Sequence, residues 1–342
     1  MTTLADMPPA DESARTDPTS VPSPSADRRV GPPPKEELEH MSALEKAASL
    51  VGVIGPVIGL VVAMILSWGW GFSWLYAIML AVGYLLTALG VTVGYHRYFT
   101  HKSFKTNAVV KAALAFLGST AVEGPPTKWA AMHRCHHQHS DHDHDPHSPH
   151  HHGGGVMGVM KGFFHAHVGW IFRGDPQGLE KYNPDLRADK VTLVMSKLWT
   201  LWAAMGFIVP AVLGAWLADG LATWSWTGFF LGFLWGGLVR LLVVHHITWS
   251  INSVCHLWGS RPFKSNDEGR NNWFFGIFGL GEGWHNNHHA FPTSARHGLR
   301  WWEFDLSYLV IRGLGLMGLA YDIKVPDSRR QAAKRNPRRR RR

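Results

Sequence analysis

Four apolar stretches, near residues 48–69, 72–94, 197–218 and 225–248, constrain this chain more than any other feature of it. Each is close to the roughly 20 helical residues that cross a hydrocarbon core about 30 Å thick. Lipid offers no hydrogen-bond partners to a bare backbone, so spans of this kind must be helices. Only a few residues around Trp70 and Gly71 join the first two, and a short link at Asp219 and Gly220 joins the last two. Each pair is therefore a helical hairpin. The expected fold is an all-α integral membrane protein of four transmembrane helices in two hairpins. The segments 95–196 and 249–342 then lie on the N-terminal side and form a helical cap. Composition agrees: 46% of residues are hydrophobic, 17% are charged and 17 are Trp, which suits spans with aromatic belts.

The formal charge of +9 is misleading, because residues 328–342 hold nine Lys and Arg and no acid, leaving 25 bases against 25 acids elsewhere. Nothing interleaves bases with aromatics as a nucleic-acid surface does, so nucleic acid is set aside as a partner. Three parts are expected: a disordered arm over 1–45, a membrane domain over 46–322, and a basic disordered tail over 323–342. The tail either attracts anionic lipid or an acidic partner, or is a solvated end that helps to fix topology. No signal peptide opens the chain. Lys and Arg concentrate on the side of the termini, which places both ends and the cap in the cytoplasm of a multi-pass cell-membrane protein. The stretch from Val109 to Val122 is too short to span and is expected as an interfacial or re-entrant helix. Cys135 and Cys255 are too few for a disulfide framework. Both are expected as small buried side chains, with a metal-ligand role for Cys135 as the alternative.

Histidine occurs 22 times, and its placement is patterned. His96 and His101 stand five apart where the second span ends. His133, His136 and His137, and far downstream His285, His288 and His289, share the spacing i, i+3, i+4. On a helix that spacing puts three imidazoles on one face, within reach of a common metal. Eight neutral imidazoles exceed one tetrahedral zinc and point to two metals with open or water-filled positions. His256, just past the fourth span, is a ninth candidate, with Asn252 one turn before it placed to hold a water on the metal. A ferritin-like carboxylate centre needs Glu-x-x-His on two helices plus two further Glu, and the only matches are Glu37 to His40 and Glu282 to His285.

Other histidines have blander readings. His139, His142, His144, His147 and His150 to His152 belong to a polar His-rich run, which binds adventitious metal or nothing. His165 and His167 are expected at the surface or the membrane interface. His245 and His246 lie inside the last span, either lining a tunnel or buried against a polar partner. A membrane metal transporter would need sites along a transmembrane path, whereas the boxes cluster at one face.

The segments HRYFTH (96–101), HRCHHQHSDHDHDPHSP (133–149), NSVCHLWG (252–259) and GEGWHNNHHAFP (281–292) resemble the boxes of the membrane fatty-acid desaturase family, in particular its stearoyl-CoA desaturase branch of actinobacterial type. The resemblance runs from about 48 to 320. It implies a four-span bundle whose cytosolic cap holds two iron ions. The implied ligands are His96, His101, His133, His136, His137, His256, His285, His288 and His289, with Asn252 bonding a water on one iron. Trp129, Thr248 and Trp249 match positions that line the acyl tunnel, although Trp129 and Trp249 could equally be interface anchors. The implied reaction puts a double bond into a saturated fatty acyl-CoA, with delta-9 the expected position. It consumes molecular oxygen and electrons. Chains of this kind share their boxes with acyl-lipid desaturases and lipid hydroxylases. No His-Pro-Gly-Gly haem element is present, so the electron donor is expected to be a separate protein, such as a ferredoxin or reductase, which the basic tail could help to dock. The histidines after His137, the N-terminal arm and the Arg tail depart from the family's pattern and take no role from it.

Overall fold

The computed structural model describes residues 38–150 and 152–337. Helix α1 (Ala43–Ser67) opens on a capping box: the Ser42 hydroxyl accepts from Glu45 N–H, and the Glu45 carboxylate accepts from Ser42 N–H at 2.8 Å. Helix α2 (Trp74–Leu89) returns across the bundle and runs without a break into a π-helical stretch, Gly90–Thr100. Strand β1 (Lys105–Thr106) and helices α3 (Ala108–Ser119), α4 (Pro126–His139), α5 (Gly155–His167), α6 (Pro184–Ala188) and α7 (Lys190–Lys197) build most of the cap. Helix α8 (Trp199–Leu217) and helix α9 (Trp226–Gly232) make the second hairpin. Through a second π-helical stretch, Phe233–Val239, α9 continues into α10 (Arg240–Leu257). Helices α11 (Trp273–Phe278), α12 (His285–Ala290) and α13 (Leu306–Leu316), strand β2 (Ala320–Tyr321) and helix α14 (Ser328–Lys334) complete the chain. The sole sheet among the described residues pairs β1 with β2 antiparallel, Lys105 opposite Tyr321.

All four expected spans are helices long and apolar enough to cross a membrane: 43–67, 74–100, 199–217 and 226–257. The second and fourth reach 27 and 32 residues, well beyond the roughly 20 needed. Apolarity falls off near 94 and 248, but the hydrogen-bond ladder does not, so these two helices stand out of the bilayer and enter the cap. Outward side chains such as Val51, Ile65 and Ile78 remain exposed, as lipid-facing residues do.

Two contacts lock the bundle. Arg240 is fully buried in its span and donates to the carbonyls of Gly206 at 2.7 Å, Thr120 at 2.6 Å and Gly236 at 3.1 Å, tying α8, the end of α3 and its own helix together. At Gly90 a Cβ would stand 2.2 Å from the Gly118 nitrogen, so the π-helical stretch and α3 cross in backbone contact. That crossing buries Leu114 and Ala115 and leaves Val109 exposed, which gives α3 the amphipathic character expected for this stretch.

The ends differ from expectation where they are described. Residues 1–37 and 338–342 lie outside the described part. Of the presumed N-terminal arm, residues 43–45 already belong to α1. The tail was expected to be disordered from 323, yet to Pro337 it is folded and docked. Asp327 caps α14, and Lys334 Nζ donates to the Ala290 carbonyl at 2.7 Å while lying over the Phe291 ring. The Asn336 amide donates to the carbonyls of Arg261 and Phe263. Charge density hid this, because one cap and one lysine at a helix C-terminus suffice to hold a short helix.

Candidate metal centre

Two groups of histidines converge where the long helices leave the membrane. His96, His101, His133, His137 and His288 form one, and His136, His256, His285 and His289 the other. Within each group the ligand atoms lie within 4.8 Å of one another. All nine expected ligands are thus brought together, from four separate segments of chain.

The first pair depends on the π-helix. Residues five apart on an α-helix point about 140° away from each other. Here His101 N–H donates to the His96 carbonyl at 3.1 Å, the i→i+5 bond of a π-turn, and the two rings meet with centroids 4.8 Å apart. The triads behave differently from expectation: neither points three rings at one centre. His133 and His137 join the first group while His136 turns to the second, and on α12 His288 joins the first while His285 and His289 join the second. Positions i+3 and i+4 lie on opposite sides of position i, about 100° apart, so each triad straddles both centres.

Carboxylates that the sequence reading did not assign set the rings. His136 Nδ1 bonds Asp145 at 3.0 Å, His256 Nδ1 bonds Asp141 at 2.7 Å, and His289 Nδ1 bonds Asp267 at 2.7 Å. Glu282 lies 2.6 Å from His96 Nδ1 and also pairs with Arg97 at 3.0 Å. Burial opposes ionisation, but the facing imidazoles hold Asp145 down at about 2 and keep Asp141, Asp267 and Glu282 below the usual carboxylate range. A carboxylate can only accept, so each bonded Nδ1 carries a proton and each Nε2 is the atom left to face the neighbouring rings. Burial first, then the neighbouring rings, hold His101, His133, His137, His285 and His288 well below the ordinary histidine value, so these five are neutral.

The Nε2 atoms face one another. His256 Nε2 is 2.9 Å from His285 Nε2, His96 Nε2 is 3.1 Å from His288 Nε2, and His137 Nε2 is 2.9 Å from His288 Nε2. The Nε2 atoms of His136 and His289 are buried with no protein partner. Separations of about 3 Å are what nitrogen ligands adopt around a cation at roughly 2.0–2.1 Å. The donor set therefore fits two cations side by side.

A cavity of about 440 Å³ runs from His96, His133 and His285 to the exposed residues Glu39 and Glu45. Trp129, Thr248, Trp249 and Asn252 all line it. Trp129 Nε1 donates to Glu123 at 2.9 Å, and the Thr248 hydroxyl bonds the same carboxyl. Burial pushes the Glu123 carboxyl up to about 7, against the pull of those two hydrogen bonds.

A profile described as fatty acid desaturase matches residues 68–322. The chain belongs to that family. It is 38% identical over 299 residues to the hex-5-enoyl acyl-carrier protein acetylenase of Moorena producens, covering 87% of this chain and 92% of that one. It is 36% identical over 267 residues to the sn-1 stearoyl-lipid 9-desaturase of Synechocystis sp., covering 77% and 76%. It is 36% identical over 262 residues to the icosanoyl-CoA 5-desaturase of Limnanthes douglasii, covering 75% and 66%.

The remaining histidines of this desaturase-family chain sort by contact. His147, placed in the bland run, is buried with its ring 4.4 Å from that of His136 and forms a further group with His136 and Asp145. His139 reaches the Tyr182 hydroxyl, and His142, His150 and His152 reach backbone carbonyls of Asn266, His256 and Ser148. His151 lies outside the described residues, as does Glu37. His165 is buried, and the half-buried His167 bonds Ser253 and His246 at 3.0 and 2.9 Å, so of the two positions expected, surface or membrane interface, His165 does not take the first. His245 is both things weighed for it: it bonds the Ala121 carbonyl at 2.7 Å and lines the cavity. Neither Cys135 nor Cys255 belongs to a ligand group among the described residues. His297, which carries no box spacing, packs against His288 with centroids 4.5 Å apart and contacts Glu282 at 3.2 Å.

Asp267→Asn should leave the fold intact and weaken metal binding by about 10–100-fold, as loss of such ligand-orienting partners does; titration of the metal-free protein with ferrous iron measures it. For Glu123 the sign follows from its raised value. The folded state takes up a proton between the ordinary value of 4.5 and about 7, so ionisation costs stability as pH rises through that window and the cost stays in full above it. Glu123→Gln should therefore raise the unfolding temperature in detergent at pH 8.5, with the gain shrinking toward pH 5.

Proposed function

We propose that this chain is an oxygen-dependent fatty acyl desaturase with a nine-histidine di-iron centre. The observation that carries the reading is the meeting of two buried histidine groups with one cavity at His96, His133 and His285. Two irons, when bound, would supply the oxidising power that takes one hydrogen from each of two adjacent methylenes, with one O2 as acceptor, two electrons and two protons from outside, and two waters as product. The chain's own residues do the rest. The nine imidazoles hold the ions, Asn252 holds a water on one of them, and the carboxylates of Asp141, Asp145 and Asp267 fix the rings. Trp129, Thr248 and Trp249 shape the cavity and keep bulk water from the reacting carbons. The place at which the chain turns past them sets the position of the new bond, for which delta-9 is the proposal. Apolar contact alone separates chain lengths by only about 1–3 kcal/mol per methylene, so cavity shape must carry the selection.

The proposed location is the cell membrane with the metal centre on the cytoplasmic side. The connections 68–73 and 218–225 contain no Lys or Arg, in keeping with the outer face. Electrons are proposed to come from a separate protein. Arg329 and Arg330 are exposed on α14, which docks beside the third histidine box at Ala290 and Phe291. They offer an acidic donor a basic surface.

Lipid mass spectrometry on a host supplied with a donor should show new monounsaturated chains with the bond at one position. His137→Ala should abolish them and lower bound iron, while His142→Ala, on the exposed side of the run, should change little. Hydroxylated chains, or full activity in His137→Ala, would overturn the assignment. Arg329→Glu with Arg330→Glu should slow reduction of the irons without lowering iron content, since deleting the whole docked tail would disturb α12; unchanged reduction kinetics would remove the docking role.

A further inference from the structure

The cavity mouth bears on what carries the acyl chain in, given the desaturase reading above. Its exposed rim holds three acids, Glu39, Glu45 and Asp175, and His40. Among the described lining residues, Lys128 is the single Lys or Arg, and it is paired with Asp175 at 2.6 Å. Arg173, two residues before Asp175, lines a small crevice that adjoins the mouth through Trp170 and Gly174 and is half-buried there. Coenzyme A brings a pyrophosphate and a further phosphate, which proteins hold with Arg and Lys forks. An acyl carrier protein is acidic and needs a basic surface. The described part of this rim is net acidic and disfavours both.

The same rim opens toward lipid. Ala48, Ser49 and Gly52 of α1 line the cavity, while Leu50 and Val51 between them are 53% and 70% exposed and belong to a membrane span. One helix thus turns Ala48, Ser49 and Gly52, with Glu45 and Val53 above and below them, to the cavity and large apolar side chains to the bilayer. At Gly52 a Cβ would meet nothing within 4 Å, so the cavity wall there is open. The Ser42 cap marks where α1, a helix long and apolar enough to span, begins.

We infer that the substrate acyl chain arrives on a membrane glycerolipid, entering beside Ala48, Ser49 and Gly52 while its headgroup stays at the surface, and not on coenzyme A as the boxes suggested.

The test uses the iron-loaded full chain in vesicles with a ferredoxin and its reductase. One arm offers 1-stearoyl phosphatidylcholine in the vesicle, and the others offer stearoyl-CoA or stearoyl-acyl carrier protein with vesicles of ether lipid. The expected result is a double bond in the intact phospholipid at a rate about tenfold or more above either thioester. A faster thioester reaction overturns the inference and leaves the desaturase reading standing. No double bond from any carrier overturns the desaturase reading and the inference with it. Glu39→Lys with Asp175→Lys should lower the KM for stearoyl-CoA by about tenfold, and no change would refute the electrostatic argument. Gly52→Trp should cut phospholipid turnover at unchanged iron content and unchanged unfolding temperature. Undiminished phospholipid turnover would refute the entry route.

Discussion

The structure depends on one unfavourable arrangement, the burial of many imidazole nitrogens against each other. His96 and His256, whose Nδ1 atoms face Glu282 and Asp141, bring Nε2 to 3.1 and 2.9 Å from the Nε2 atoms of His288 and His285, a crowding of nitrogens that a cation between them relieves. Asp141, Asp145 and Asp267 hold three rings of the second group in that state, and Glu282 does so for His96 in the first. The carboxylates also bring negative charge beside the metal positions, which offsets part of the charge of the cations. Metal binding and the folded shape of the cap are therefore parts of one equilibrium.

The membrane helices are what make the arrangement rigid. The second and fourth spans run on into the cap, so His96, His101 and His256 ride on rods anchored in the bilayer. Arg97 ties the first rod to the rest of the site: it is fully buried and bonds Glu282, Asp305 and the Ala295 carbonyl, joining the π-helical stretch to the chain on both sides of α12. A buried cation in such a place is costly to desolvate and is held only by complete pairing. Its position next to His96 makes the pairing part of the metal site's geometry.

Much of this was legible in the sequence, and the omissions have physical causes. Apolar runs of span length cannot hide, so all four spans were found. Their cap-side ends were missed because hydropathy reports the solvent and not the hydrogen-bond ladder. The nine histidines were found from spacing and from the family's boxes. Spacing alone could not show that His101 lies beneath His96, since that needs a π-turn, nor that each triad divides between two centres. Asp141 and Asp145 lay within a run dismissed as polar, and their partners His256 and His136 are set by tertiary contact; the Asp-x-x-x-Asp spacing amid histidines was the signal available. Asp267 and His297 carried no signal. Glu123, six residues before Trp129 on an otherwise small and apolar turn, was a visible oddity that went unweighed.

The central claim is that nine imidazoles hold two adjacent irons. Iron K-edge X-ray absorption on the full chain, with iron counted per chain, tests it most directly. A centre of this geometry should bind two irons per chain, each in a nitrogen-dominated shell at about 2.0–2.2 Å. One iron per chain, or a shell dominated by carboxylate oxygens with Asp141, Asp145 or Asp267 as ligands, would contradict it.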